Sequence, residues 1–250
     1  MSKANLDLKP IQRKAVDLGI DLGRLPEHIA IIMDGNGRFA QRQGLMRLWG
    51  HRQGYKTLKE NLLLAANLGV KYLTVYAFSA ENWRRPEDEV GGLMKLIEEA
   101  ARHELKGLKE NNVRVRVIGR THEVPQGLQE AIRDMESSTD SNTGITFTLA
   151  INYGGRAEII DAAKRLIADG VKPEDVTEEA INARLYDPAT PPPDLMIRTA
   201  GELRWSNFLI WQAAYSELFV TDVTWPEFGE KQLLEGVLQY QARYRKFGGL

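Results

Sequence analysis

The run His28-Ile-Ala-Ile-Ile-Met-Asp-Gly-Asn-Gly-Arg38 passes directly from a continuous apolar segment to a carboxylate, two glycines and a guanidinium. Its apolar part, 29–33, shows no alternation with polar residues, as expected of a strand covered on both faces. The glycines after it let the backbone turn tightly and leave amide N–H groups unshielded. Further candidate strands lie at 73–78, 113–118, 145–152 and 195–198, with a weaker one at 218–220. Between them the apolar residues recur at helical spacing over about 50–67, 89–109, 125–138, 155–169 and 230–246. Strands alternating with helices predict an α/β fold with a mostly parallel sheet and right-handed crossovers. Ligands of such sheets bind beyond the carboxyl ends of the strands, so the residues that follow each strand matter most.

Composition narrows the field. The chain has 250 residues, no cysteine, and 33 basic against 34 acidic residues. Without cysteine there are no disulfides, no thiolate metal sites and no thiol nucleophile, which suits a reducing cytoplasm. The balanced charge argues against nucleic acid as a partner. The longest purely apolar runs, such as 29–33 and 62–66, fall far short of the roughly 18 residues of a membrane span. The four histidines, His28, His51, His103 and His122, accompany no Gly-x-Ser-x-Gly elbow, so a hydrolytic triad is unsupported. The Pro-rich stretch Asp187-Pro-Ala-Thr-Pro-Pro-Pro-Asp194 reads as a rigid surface connection rather than a domain boundary. One domain over 26–250, preceded by a segment 1–25, is expected.

Three post-strand segments carry chemistry. After the first strand, Arg38 has the fork geometry that suits phosphate oxygens, and Asp34 can hold Mg²⁺ through one carboxylate while phosphates complete the shell. Arg42, Arg47, His51 and Arg52 keep the following stretch basic in a neutral chain. A plain Gly-Asn-Gly turn with solvated arginines is the competing reading. After the second strand, Ser79-Ala-Glu81-Asn82-Trp83-Arg84-Arg85-Pro86 reads either as a loop anchored by a buried Trp or as a segment that closes over a substrate. After the fifth, Arg198, Arg204 and Ser206 make a second candidate diphosphate site. Glu217 precedes the last apolar run and either faces the crevice or makes a surface ion pair. The apolar stripe Val90, Leu93, Met94, Ile97, Ala101 and Leu105 is core packing or the lining of a lipid-sized cavity.

The stretches 28–38, Tyr76-Ala-Phe-Ser-Ala-Glu-Asn-Trp83, Asn152-Tyr-Gly-Gly-Arg156, and Ser206-Asn-Phe-Leu through Thr221-Asp-Val-Thr-Trp-Pro226 resemble the cis-prenyltransferase family, in order, from about residue 25 to the Phe247-Gly-Gly249 end. The resemblance implies a six-stranded sheet flanked by helices, a homodimer, and a hydrophobic tunnel between sheet and helices. It implies repeated addition of isopentenyl diphosphate to an allylic diphosphate such as farnesyl diphosphate. The product would be a cis-polyprenyl diphosphate such as undecaprenyl diphosphate, the lipid carrier precursor of cell-wall synthesis, released through transient membrane contact. By the same resemblance Asp34 is the essential carboxylate and Gly35, Asn36, Gly37, Arg38 and Phe39 lie at the allylic diphosphate, extended by Arg47 and His51. Ser79, Ala80, Glu81, Asn82, Trp83 and Arg85 match the catalytic loop. Arg198, Arg204, Trp205 and Ser206 match the isopentenyl diphosphate site, and Glu217 a metal ligand beside it. Asn82 is tied to the proton-loss step, but a carboxamide is a poor base and its role is better written as positioning.

Three positions depart from the bacterial pattern: Phe39 replaces a usual Trp, Leu203 a frequent His, and Trp205 a small or aliphatic residue. A shorter-chain synthase, a non-catalytic scaffold of the same fold and a Mg²⁺ phosphatase are the competing functions. A scaffold should lack the first Asp or the phosphate-binding arginines, and this chain keeps Asp34, Arg38, Arg198 and Arg204.

Overall fold

Strand β1 (His28–Ile32) is buried at all five positions, which explains its unbroken apolar sequence. In the computed structural model, which describes residues 8–243, β1 is an inner strand of a six-stranded sheet. The others are β2 (Tyr72–Ser79), β3 (Arg114–Ile118), β4 (Thr146–Tyr153), β5 (Leu195–Arg198) and β6 (Glu217–Val220), in the order β3-β4-β2-β1-β5-β6. Every pairing is parallel. Ile29 and Ile31 face one core, with Leu73, Val75, Leu195 and Ile197. Ala30 and Ile32 face the other, with Met196, Ala150 and Phe208.

The helices are α1 (Pro10–Asp17), α2 (Asn36–Arg42), α3 (Arg47–Leu68), α4 (Glu87–Glu110), α5 (Gln126–Thr139), α6 (Gly155–Ala168), α7 (Glu178–Asn182) and α8 (Glu230–Ala242). The five long ones match the expected periodicities. Helices α1, α2 and α7 were not expected, because eight residues or fewer show too little of a 3.6-residue period to be read. Helix α1 nevertheless places Ile11 and Ala15 in the main core. The end of the helix expected to 246, and the Phe247-Gly-Gly249 end of the family resemblance, lie outside the described residues.

The connection order positions the site. From β1 the chain winds to β2, β3 and β4 on one side, then crosses to β5 and β6 on the other. The switch leaves a crevice beyond the carboxyl ends of β1 and β5, where Ile32 is paired with Arg198. At the opposite, amino end, the Pro-rich stretch docks into the domain. The Asp194 carboxylate accepts from the backbone N–H of Glu27 (2.8 Å) and His28 (3.2 Å).

His28 is buried and lies 2.6 Å from the Pro191 carbonyl through Nδ1 and 2.8 Å from the Thr74 hydroxyl through Nε2. A carbonyl only accepts, so Nδ1 carries the proton and Nε2 accepts from Thr74. Burial lowers the His28 pKa to about 4, against attraction from Pro191 and Asp194. The folded protein therefore binds fewer protons here than the unfolded chain between about pH 4 and pH 6.5, and stability falls as the pH falls through that window. The expected loss is about 3 kcal/mol from this one group. Urea midpoints at pH 7 and pH 4.5 should converge more in His28→Gln than in the parent chain. An equal pH dependence in both would remove His28 as the cause.

Candidate active site

The turn after β1 is tighter than a loop. Gly35 has φ +99°, and a Cβ there would lie 2.7 Å from Thr224 Cβ, so only glycine fits. Helix α2 begins at the next residue, which places the Gly-Asn-Gly segment in its first turn rather than in an open loop. The first N–H groups of a helix have no partner inside it, so those of Asn36, Gly37 and Arg38 remain available. Helix α3 closes against this turn through Gly50 and Gly54, where Cβ atoms would meet Asn36 O at 2.0 Å and Asn36 Oδ1 at 2.2 Å.

Across the switch point, Arg198 is 3% exposed, and its guanidinium donates to Asp34 Oδ2 (2.9 Å), to Ser206 Oγ (2.7 Å) and to the Arg204 carbonyl. Thr199 Oγ1 ties the two strand ends together, accepting from Asp34 N (2.9 Å) and donating to Asp34 O (2.7 Å). The segment after β5 holds four non-glycine residues at positive φ: Ala200, Ser206, Asn207 and Leu209. Such strain persists where surrounding contacts over-determine the backbone.

The segment after β2 is also fixed. Ser79 N donates to Asn82 Oδ1 (3.2 Å), and Ala80–Arg84 form a 3₁₀ turn. The Trp83 indole N–H donates to Asn152 Oδ1 (2.7 Å), its ring standing edge-on to Phe78. Asn152 Nδ2 donates in turn to Glu123 (2.8 Å) and to the Arg120 carbonyl. Asn207 Nδ2 donates to Glu81 (2.8 Å), while its Oδ1 and carbonyl accept from Arg156 N and Gly155 N at the start of α6.

Two carboxylates collect the remaining cations. Glu89 pairs with Arg85 (3.0 Å) and Arg47 (3.3 Å) and lies 3.9 Å from His51 Nε2. Glu202 pairs with Arg38 (3.2 Å) and with Arg204. Burial and the Arg85 charge lower the His51 pKa to about 4, so its ring is neutral near pH 7. Three buried polar atoms here have no hydrogen-bond partner among the described residues: Asn36 Oδ1, His51 Nε2 and Arg198 Nε.

The mouth of one cavity of about 970 Å³ thus gathers Asp34, Asn36, His51, Ser79, Glu81, Asn82, Arg85, Arg198, Arg204 and Ser206. Arg38 and Arg47 join through their carboxylates, and the Arg47 guanidinium lies about as close to Gly37 as a Cβ there would allow. From the mouth the cavity continues between α3, α4, α5 and the sheet, past Leu62, Leu93 and Ile97 to Val113 and Phe147. Part of the α4 stripe, Leu93, Met94 and Ala101 among it, is at once buried and on or beside this wall.

Several expected residues stand elsewhere. Phe39 stacks on Trp49, and Trp205 packs against the core on the second sheet face. Leu203 is exposed. Within the chain Glu217 lies apart from these residues: it begins β6, is paired with Leu195 at the amino end, and binds Arg243 (3.0 Å). It lies three residues short of Val220, the partner of Arg198, which is about 10 Å along the strand. Within the chain it does not meet Asp34. Glu89, Glu202, Asn152 and Asn207 carry contacts that sequence reading did not assign. Only Glu89 left a signal, the i, i+4 spacing from Arg85.

Residues 32–248 match the family model described as putative undecaprenyl diphosphate synthase. The chain belongs to that family of cis-prenyltransferases. It is 52% identical to an isoprenyl transferase of Fusobacterium nucleatum subsp. nucleatum, over 90% of this chain and 97% of the relative. It is 47% identical to that of Staphylococcus saprophyticus subsp. saprophyticus, over 97% and 96%. Among solved structures, lavandulyl diphosphate synthase from Lavandula x intermedia, in complex with dimethylallyl diphosphate, superposes with a TM-score of 0.86 at 37% identity, covering 90% of this chain and 98% of that one. A probable undecaprenyl diphosphate synthase from Campylobacter jejuni gives 0.77 at 32% identity, covering 90% and 99%. The enzyme is thus a prenyltransferase, and its candidate site lies at the switch point. No helix among its described residues is long and apolar enough to cross a membrane.

The anchoring of Trp83 has a direct test. Asn152→Ala removes a buried partner of the indole, a change of about 1–3 kcal/mol. Tryptic cleavage at Arg84–Arg85 should accelerate about tenfold, because cleavage follows the population of the opened segment. Unchanged cleavage would show that the segment is held without this bond.

Proposed function

We propose that the enzyme adds isopentenyl diphosphate repeatedly to an allylic diphosphate of farnesyl size, forming a long cis-polyprenyl diphosphate of the undecaprenyl type for cell-wall lipid carriers. One observation carries this reading: a single cavity is cationic and hydrogen-bonding at its mouth and mostly apolar along the rest of its length. A diphosphate head and a hydrocarbon tail are the two ends of such a ligand. A short-chain synthase on the same site is the second reading, favoured by the likeness to the lavandulyl enzyme. The reach of the cavity to Val113 and Phe147 argues for the longer product. A scaffold role is opposed by the convergence of Asp34, Arg38, Arg198 and Arg204.

In this reading the free amides of α2, with Arg38, Arg47 and Arg85, hold the allylic diphosphate. They stabilise the charge that grows on the leaving oxygen as the allylic C–O bond breaks, more strongly in the transition state than before it. Neutral His51 offers its unpartnered Nε2 as a donor to the same group, whereas the unpartnered Asn36 Oδ1 can only accept. Arg198, Arg204 and Ser206 hold isopentenyl diphosphate so that its alkene faces the allylic carbon. Asn82, fixed by Ser79, positions that alkene, and a carboxylate or phosphate oxygen takes the proton lost as the cis double bond forms.

Asp34 fits Mg²⁺, which binds through one or two carboxylates plus substrate phosphates. Glu217 does not fit beside it, and no group of three or more metal-ligating side chains exists among the described residues. Bound there, Mg²⁺ would neutralise diphosphate charge. Homodimerisation belongs to the same reading, supported by β6 as an edge strand and by the exposure of Leu203 and Tyr215. So do a cytoplasmic location and brief membrane contact at product release.

Incubation with farnesyl diphosphate and labelled isopentenyl diphosphate should give products in five-carbon steps, and none in excess chelator. Failure to elongate would overturn the proposal. Arg38→Ala should mainly impair the allylic substrate, whereas Arg198→Ala and Arg204→Ala should mainly raise KM for isopentenyl diphosphate. Each lost contact should cost about 2–4 kcal/mol, or roughly 10²–10³-fold. Lysine should rescue only in part. A loss in Arg204→Ala confined to the allylic substrate would reverse the two sites.

A further inference from the structure

The cavity wall contains one polar cluster where hydrocarbon contact would be expected. Helices α3 and α4 run side by side in the same sense, from the carboxyl to the amino end of the sheet, and both line the cavity. Tyr55 and Lys59 of α3 and Glu104 of α4 line it too, among leucines, isoleucines and alanines. The Tyr55 hydroxyl donates to the Glu104 carboxylate, and Lys59 Nζ lies 2.8 Å from the same carboxylate. The Lys59 ammonium also stands 5.9 Å from the centre of the Tyr55 ring.

The cluster sits at a seam. Lys59 reaches solvent, with its side chain 49% exposed, while Glu104 is 18% exposed and Tyr55 is half-buried. The neighbours of Glu104 on its face of α4 are Ala100 and Ala101 a turn before it and Gly107 and Leu108 a turn after. A Cβ on Gly107 would find only Glu104 Oε2, at 3.9 Å, within contact range. Tyr55 lies just over two turns, about 12 Å, along α3 from Arg47 at the mouth. Burial and Glu104 raise the Tyr55 pKa, so the hydroxyl stays a donor. Burial raises that of Glu104, but Lys59 and Tyr55 outweigh it and hold the carboxylate below its usual range.

We propose that the Tyr55–Glu104–Lys59 clasp is a specificity determinant that fastens the α3–α4 seam and so confines the growing prenyl tail to the cavity, limiting product length. The inference rests on the chain-elongating reading above. Polar groups in an apolar wall are costly unless they satisfy one another, and these three do so. With the clasp closed, a lengthening tail must fill the space below it toward Val113 and Phe147. With the clasp open, the tail can part the helices and continue outward past Lys59.

The test compares the parent enzyme with Tyr55→Phe, Glu104→Gln and the double variant. All are supplied with farnesyl diphosphate and labelled isopentenyl diphosphate in detergent, and product lengths are resolved by mass. Each single variant should shift the mean product upward by at least one five-carbon unit. The double variant should shift it at least as far as the larger single effect, because Tyr55→Phe alone leaves Lys59 paired with Glu104 across the seam. KM for both substrates and the rate of the first condensation should stay within about twofold, since none of the three residues stands at the mouth. Thermal unfolding of Tyr55→Phe, which keeps the ring, provides the check that the helices remain packed. An unchanged length distribution in folded, active Tyr55→Phe and Glu104→Gln overturns the clasp while leaving the elongation reading intact. A parent enzyme that forms no elongated product overturns both. Changed KM with unchanged lengths would place the cluster in substrate binding and overturn the proposal as well.

Discussion

A guanidinium buried at the end of an inner strand constrains everything around it. Arg198 closes β5 with almost no exposure, so its N–H groups must find acceptors within the protein. They find Asp34 at the end of β1, Ser206 and the Arg204 carbonyl. The first contact couples the two strand ends at the switch point. The other two bend the segment after β5 back over its own strand, through Ala200, Ser206, Asn207 and Leu209 at positive φ. One ion pair thereby fixes the distance between the two proposed diphosphate sites. Arg198 Nε is left without a partner, the kind of buried orphan that a bound anion would satisfy.

The sheet was legible in the sequence because its inner strands are covered on both sides, which keeps their runs mostly apolar, with few breaks such as buried Thr74 and Thr148. The long helices were legible for the complementary reason, a stripe repeated over three turns or more. Helix α2 escaped because its defining feature is the turn that starts it. Asn36-Gly-Arg reads as loop chemistry until Gly50 and Gly54 of α3 are seen to press on Asn36. That contact joins residues with no local sequence relation, and no periodicity reports it.

The same distinction divides the site. Asp34, Arg198 and the segment 79–85 were legible because each follows a strand, and parallel strands deliver their carboxyl ends to one side. Glu217 precedes its strand, so within the chain the same rule sends it to the opposite side, where Arg243 meets it. Asn152 and Asn207 were unassigned because their work is done through contacts far apart in the chain, Asn152 with Trp83 and Asn207 with Glu81. An asparagine that anchors a loop from another strand has no signature of its own in a single sequence.

The carboxylates around the mouth complete the electrostatic logic. Arginines gathered at the two proposed diphosphate sites would repel one another without ligands, and Glu89 and Glu202 offset that repulsion by pairing with Arg47, Arg85, Arg38 and Arg204. These pairs are partly exposed, where ion pairs contribute little to stability and exchange readily. Buried Arg198 differs, since losing Asp34 would strand a charge away from water. The mouth therefore combines one fixed cation with several whose carboxylate partners a diphosphate can displace. A diphosphate arriving there meets guanidinium groups already held near one another, so less side-chain entropy is lost on binding than if each were free. In the proposed reaction a tail filling the cavity beneath displaces water from the reacting end, which strengthens those same contacts as charge develops on the leaving oxygen.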